Sequence, residues 1–570
     1  MSSRGVRVAF GLGLGLTLSA SFARTVPSSG GLEAAPRTVG PIQFEDRQRE
    51  SGIIFVLDNG TTPEKPIIDA VLGGVTLLDF DNDGRLDVFF TNGARIHGLV
   101  KDDPRFWNRL YRNEGGGTFR DVTEAAGVRG EGYSMGAVAA DFDNDGATDL
   151  YVTGVNRNIL YRNERDRTFS DVTERAGVSG IGPGAKKLWS VGAAWLDYDN
   201  DSDLDLFVAS YLDWSPENNR VCGAEGKRVN CSPTDYEGLP NLLYRNDGGG
   251  RFTDVSGPTG IGAHIGKGMS VAVADADSDG FTDIFVANDR MRHFFFRNAG
   301  GLTFVENAVE AAVAYTEDGV PVSGMGVEFR DLNEDGRPDI FVTALSGDTF
   351  PLYFNTAERF FSSATYRAGL GFATVLMSGW GTGAYDFDND GYKDLFIANS
   401  HLSENIELFG HHRYRQPNAV FQGIGEGRFR DVSAKAGAAT QRPRAHRGCA
   451  FGDIDNDGRV DVVVSVIGEP PEVLYNLTAG AGHWLELRLE GTKSNRDGIG
   501  ATVKLTGESG RVQYNHATTA VGYASSSDKR VHFGLGTDRV AREIEIRWPS
   551  GITQILTDVT ADKTLEVREP

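Results

Sequence analysis

The stretch Asp79–Asp87, DFDNDGRLD, places aspartate at positions 1, 3, 5 and 9 around a glycine at position 6. It recurs as DFDNDGATD from Asp141, DYDNDSDLD from Asp197, DADSDGFTD from Asp275, DLNEDGRPD from Asp331, DFDNDGYKD from Asp386 and DIDNDGRVD from Asp453. The candidate metal ligands are therefore Asp79, Asp81, Asp83 and Asp87 in the first loop, Asp141, Asp143, Asp145 and Asp149 in the second, and Asp197, Asp199, Asp201 and Asp205 in the third. Asp275, Asp277, Asp279 and Asp283 follow, then Asp331, Asn333, Asp335 and Asp339, then Asp386, Asp388, Asp390 and Asp394, and last Asp453, Asp455, Asp457 and Asp461. Two copies depart from the pattern, with Ser202 at the glycine position and Asn333 at the third. Several hard oxygens on one tight turn suit Ca²⁺, which takes six to eight oxygen ligands at about 2.4 Å, better than Mg²⁺, which demands a stricter octahedron. One such loop is an ordinary Asp/Gly turn; seven in one chain are a repeat.

An EF-hand loop begins the same way but needs an acidic ligand at position 12 and then a helix. Position 12 is Phe90, Val152, Val208, Val286, Val342, Ile397 and Val464, apolar throughout, and each copy runs into a β-prone segment such as DLFVAS from Asp205. Small apolar runs such as SMGAVAA (Ser134–Ala140) precede the loops, so the unit reads as strand, metal loop, strand. A second hairpin follows, as in LYRNEGGGTFRDV (Leu110–Val122), LYRNERDRTFSDV from Leu160 and LYRNDGGGRFTDV from Leu243, with Asn and Gly at the turn. Four strands per repeat predict one propeller blade each. The seventh repeat stops at Leu474-Tyr475-Asn476 without its last strand, while the chain opens with an orphan of that type, Ile42-Gln43-Phe44-Glu45-Asp46. The fold predicted is all-β: a seven-bladed β-propeller over residues 38–478, closed by its N-terminal strand, in preference to an open β-solenoid. Closure removes the sheet edges that invite aggregation.

These loops resemble FG-GAP or VCBS repeats, the calcium-loop blades of integrin α-subunit propellers. LYRNEGGGTFRDVT followed by Ala126-Gly127-Val128 resembles the cartilage acidic protein family. Further on, NRDGIGATVKL (Asn495–Leu505), HFGLG (His532–Gly536) and IRWPSGITQIL (Ile546–Leu556) resemble the ASPIC/UnbV domain that follows the propeller in that family. WLELRLE and EIEIRW alternate apolar and polar residues, so residues 482–570 are predicted to form a small β-sandwich-like domain. The resemblance is compatible with extracellular-matrix or cell-surface interaction and supplies no substrate.

Arg4 and Arg7 precede an uncharged run, Val8–Ala23, that ends Ser21-Phe22-Ala23, the pattern of a signal peptide cleaved after residue 23. No other long apolar stretch follows, so the mature chain is expected to be exported without a transmembrane segment. Cys222 and Cys231 sit in a polar loop where an exported protein can close a disulfide; Cys449 lies in an apolar run as a buried small hydrophobe. The 79 acidic and 57 basic side chains leave a charge of −22, which disfavours nucleic acid and anionic membrane surfaces as partners. Loss of Arg4 and Arg7 makes this −24, and seven divalent ions would return it to −10.

Insertions in repeats one, three and six all fall after the second strand, on the face opposite the acidic loops. That face also receives Lys187, Trp189, Lys267, Asn288, Asp289, Arg290, Asn399, His401, His446 and Arg447. One reading is a polar funnel at the propeller centre for a glycan, peptide or small anion; the plainer one is that loops are polar. No G-x-S-x-G, H-E-x-x-H or P-loop motif occurs, and His411-His412 reads as an inert loop pair. The function expected is a secreted module, stabilised by structural Ca²⁺, that binds an extracellular protein, glycan or small molecule. The alternative is an enzyme acting on a polysaccharide or a secondary metabolite in the funnel, a reading that convergence of His401, His446 and Asp289 on one pocket would favour.

Overall fold

Each acidic nonapeptide joins two antiparallel strands, as Val75–Leu78 and Asp87–Phe90 in the first repeat, and the LYRN hairpin adds two more, Arg109–Gly115 and Thr118–Asp121. A computed structural model describes residues 40–570 except Pro183 and Ala185, so the proposed leader lies outside the described residues. Seven sheets of this kind form a β-propeller. Their first strands, Val75–Leu78, Tyr133–Ala140, Ser190–Leu196, Gly268–Ala274, Val327–Arg330, Gly379–Tyr385 and His446–Gly452, adjoin in that order around the axis, and the last adjoins the first. Phe44–Asp46 supplies the fourth strand of the last sheet, pairing Phe44 with Asn476, Glu45 with Tyr475 and Asp46 with Leu474.

Position in the ring explains the sequence of each strand. Inner strands are covered on both faces by neighbouring sheets, so Tyr133–Ala140 and Asp149–Val155 are buried at every residue and read as apolar runs. Outermost strands alternate: Phe119 is buried between exposed Thr118 and Arg120. Near the axis the backbones approach too closely for side chains; a Cβ on Gly136 would lie 2.6 Å from the Ala524 carbonyl oxygen.

The last propeller strand ends at Asn476 and the next begins at His483. The chain then builds a three-stranded sheet from His483–Glu490, Val531–Gly536 and Lys563–Arg568, and a four-stranded one from Thr502–Gly507, Val512–His516, Val540–Arg547 and Thr553–Thr560. Leu487, Leu505, Phe533, Ile544 and Trp548 form their common core.

Between Val512–His516 and Val531–Gly536 this C-terminal domain sends a hairpin, Ala520–Val521 and Ser525–Ser526, into the propeller axis. Ser526 pairs in parallel with Thr76, and Gly522 exchanges backbone hydrogen bonds with Val327. The Tyr523 ring meets Trp380 edge-on at 5.0 Å, and its hydroxyl donates to the Val71 carbonyl. Every residue from Ala517 to Asp528 is buried. The run is small-residue, ATTAVGYASSSD, because little else fits between seven converging strands.

Candidate metal centre

In all seven loops the position-1 carboxylate accepts the backbone N–H groups of positions 5 and 6, for example Asp79 from Asp83 at 3.0 Å and from Gly84 at 2.9 Å. The position-9 carboxylate accepts the N–H of position 2 and a backbone N–H from the LYRN strand, as Asp87 does from Phe80 (3.0 Å) and Asn113 (2.7 Å). Backbone donors thus fix the carboxylates in place. Position 3 differs. In Asp81, Asp143, Asp199, Asp277 and Asp388 the Oδ1 atom is buried and has no hydrogen-bond partner. An unpaired buried carboxylate oxygen is costly unless a cation meets it. Carboxylate oxygens of Asp79, Asp81 and Asp87 lie within 4.8 Å of one another, as do those of Asp141, Asp143 and Asp149, of Asp197, Asp199 and Asp205, and of Asp275, Asp277 and Asp279. Two oxygens on opposite sides of one Ca²⁺ are separated by about 4.8 Å, twice the usual bond length, so these sets fit a single ion.

Electrostatics point the same way. Burial is the largest cause that pushes the position-1 carboxyls up, Asp141, Asp197 and Asp453 to about 7 and Asp275 to about 6. Burial likewise holds Asp87, Asp149, Asp205, Asp283, Asp339, Asp394 and Asp461 well above the usual carboxylate range. Crowded acids of this kind take up protons or a cation.

The repeats match the FG-GAP-like repeat family over residues 79–152, 141–208, 232–286, 277–342, 331–397 and 386–464. The chain belongs to the FG-GAP-like repeat family. Residues 491–570 match the ASPIC and UnbV family. Over 522 residues the chain is 25% identical to cartilage acidic protein 1 of Xenopus tropicalis, covering 87% of this chain and 73% of that one. Its counterpart in Homo sapiens is 24% identical over 520 residues, covering 87% and 72%. Integrin alpha-7 of Homo sapiens is 28% identical over 219 residues, 36% of this chain and 18% of that protein.

Several residues of this FG-GAP-like ring serve the loops in ways the sequence reading missed. In the LYRN element, Arg112, Arg162 and Arg297 donate to the outer oxygen of Asp81, Asp143 and Asp277 at 2.6–2.7 Å, and Gln422 to that of Asp388 at 2.7 Å, leaving the inner oxygen free. The LYRN asparagine, read as a turn residue, also laces blades together: Asn113, Asn163, Asn246, Asn298, Asn355 and Asn476 each donate to the position-2 carbonyl of the preceding blade's loop, at 2.7–3.1 Å. Position 4 laces the other way. Asn82, Asn200, Asn389 and Asn456 donate to the position-6 carbonyl of the following blade. The signal was present as Asn in five of seven copies, since position 4 has φ of 53–66° and asparagine tolerates that region.

The two degenerate loops behave differently. Ser202 takes the glycine conformation at φ 79°, its hydroxyl donates to the Lys493 carbonyl of the C-terminal domain, and loop three keeps the full bonding pattern. In loop five Asn333 is neutral and its amide oxygen already accepts the Asp335 N–H at 3.1 Å, while one oxygen of Asp331 gathers the N–H groups of Asn333, Glu334 and Asp335.

Among the described residues the predicted central funnel is filled rather than open. The hairpin at Tyr523 fills the axis, and from the face opposite the loops the turn Ile67–Ala70 closes it. Asn230, next to the Cys222–Cys231 disulfide, reaches across to Asp69 at 2.7 Å, and Asn405 donates to the Arg228 carbonyl. Most of the residues predicted to face a ligand are engaged inside the protein instead. Trp189 is buried, T-shaped against Tyr211 at 5.0 Å. Asp289 is buried, accepts the Tyr211 hydroxyl at 2.7 Å and is pushed up to about 6 by that burial. The Nδ1 of His401 accepts the Ser403 N–H, and burial pushes its ring down to about 4. His446 bonds the Asn399 carbonyl and lies 3.3 Å from Glu472. Arg447, fully buried, stacks 4.1 Å over Trp380 and donates to the Ala70 carbonyl. Lys267 donates to the Pro233 carbonyl at 2.7 Å; Lys187 and Arg290 remain exposed. His401, His446 and Asp289 each have separate partners and do not converge on one pocket. Cys449 is buried and free.

Proposed function

We propose that the protein is an exported binding module whose propeller is locked by structural Ca²⁺ in its acidic loops and which presents loops and rim to an extracellular protein, glycan or small molecule. The observation that carries the calcium part is the buried, unpartnered Oδ1 at position 3 in five loops. Loop seven has the full set of four aspartates, so six loops are suited to an ion and loop five is the weakest. Export is supported by the leader pattern and by the Cys222–Cys231 disulfide, which belongs to an oxidising compartment. No helix among the described residues is long and apolar enough to cross a membrane. Catalysis in a central funnel loses its site to the hairpin. Calorimetric unfolding with and without EGTA tests the reading: chelation lowers the unfolding temperature by about 10 °C or more, because each ion bound only to the native state at about 100 times its Kd contributes about 2.7 kcal/mol. An unchanged unfolding temperature contradicts it.

A further inference from the structure

A groove of about 1060 Å³ opens on the side of the ring where blades six and seven meet. Its volume exceeds the usual small-molecule range, up to about 1,000 Å³, and suits an extended or helical segment of polypeptide. One part of its lining is aliphatic: Ala373, Leu376 and Met377, with Leu376 76% exposed and its neighbour Phe372 87% exposed. Another part is cationic. Arg413, Arg430 and Lys435 are exposed, and among the described residues none has a carboxylate within ion-pair distance. Arg430 has only the Gln422 amide as a side-chain partner. Asp431, the acidic residue of the lining, is engaged in capping the Ser433 N–H at 2.9 Å, and Arg415 is already paired with Glu469.

A chain with a charge of −22 concentrates here three unpaired cations beside exposed aliphatic side chains. Large exposed apolar side chains rimmed by charge mark interaction sites. We propose that this groove docks an acidic, amphipathic peptide segment of a partner protein, with apolar side chains against Leu376 and Met377 and carboxylates on Arg413, Arg430 and Lys435. An anionic glycan would meet the same cations, and His411 and His412 also line the groove, but the exposed Leu376 and the half-buried Met377 offer an aliphatic contact that a polar sugar does not use. Complementary charge sets the orientation and the rate of encounter, and the apolar contacts hold the complex.

The proposal rests on the reading of the protein as a binding module and narrows its ligand to a protein. The test uses the full mature chain in millimolar calcium, with fluorescence anisotropy of three labelled probes. These are a peptide of about 20 residues carrying Leu and Glu at helical spacing, its Lys-for-Glu counterpart, and a heparin-derived oligosaccharide. The acidic peptide binds, the lysine peptide does not, and the combined substitution Arg413→Glu, Arg430→Glu, Lys435→Glu weakens binding by about tenfold or more, equivalent to about 1.4 kcal/mol. Leu376→Ser weakens it several-fold without altering the charge. All four side chains are exposed, and the unfolding temperature of each variant, read with and without EGTA, reports on folding and on calcium separately, so this proposal and the calcium reading can fail independently. Absence of acidic-peptide binding, or binding that neither variant changes, overturns the proposal. So does an oligosaccharide that binds, depends on the three cations and ignores Leu376→Ser while the peptide does not bind.

Discussion

The seam between blades three and four and the seam between blades five and six are made of the same repeat but held in different ways. At the first, Asn200 donates forward to the Gly280 carbonyl at 2.9 Å and Asn298 donates back to the Tyr198 carbonyl at 2.8 Å. At the second, Glu334 stands where the forward asparagine would be and Gly423 where the backward one would be, so neither link exists. Arg511 of the C-terminal domain takes their place. Its guanidinium donates to Glu334 and to the Asp390 carbonyl, each at 2.6 Å, and lies 3.6 Å over the Tyr392 ring. Loop five is also the loop whose third position lost its carboxylate at Asn333. The second domain therefore completes the ring where the repeat has drifted, as well as plugging its axis.

Substitutions on the two seams separate these roles. Asp199→Ala removes the unpartnered oxygen of loop three and is expected to release one ion and cost about 3 kcal/mol in millimolar calcium. Asn333→Ala at the equivalent position of loop five should cost less than about 1 kcal/mol, since it ends one neutral hydrogen bond. Urea midpoints at fixed calcium compare the two; equal shifts would break the distinction. Arg511→Ala comes next, at about 2 kcal/mol for two charge-assisted hydrogen bonds on a partly exposed side chain, with amide exchange accelerated in blades five and six alone. Acceleration spread evenly around the ring would argue against a local bridge. Asn200→Ala should cost about 0.5–1 kcal/mol, the net worth of one neutral hydrogen bond at the exposed loop tip. Smallest is Ser202→Gly, within about 1 kcal/mol either way, because relief of the left-handed backbone is offset by loss of the Lys493 contact.

Much of the ring was legible because aspartates at positions 1, 3, 5 and 9 of a repeated nonapeptide leave few alternatives, and because the orphan Phe44 strand matched the one missing from the seventh repeat. The lacing asparagines were visible in type but not in role: a hydrogen bond to the adjoining blade depends on ring geometry that no single repeat contains. The axial hairpin was not legible. Residues 517–528 are small and polar enough to read as a surface loop, and only their confinement between seven strands makes small size a packing requirement. The supposed ligand face failed for a related reason. Trp189 precedes the inner strand Ser190–Leu196, and His446 and Arg447 begin the one at His446–Gly452; no local pattern signals that Ile67–Ala70 and the Cys222–Cys231 loop fold over them.

Calcium in the acidic loops, and a weaker loop five, can be counted directly. Metal analysis after equilibrium dialysis against micromolar free calcium gives that count. Six ions per chain are expected, five in Asp199→Ala and seven in Asn333→Asp; a chain that retains none, or a count that neither substitution changes, rules out calcium held by these loops.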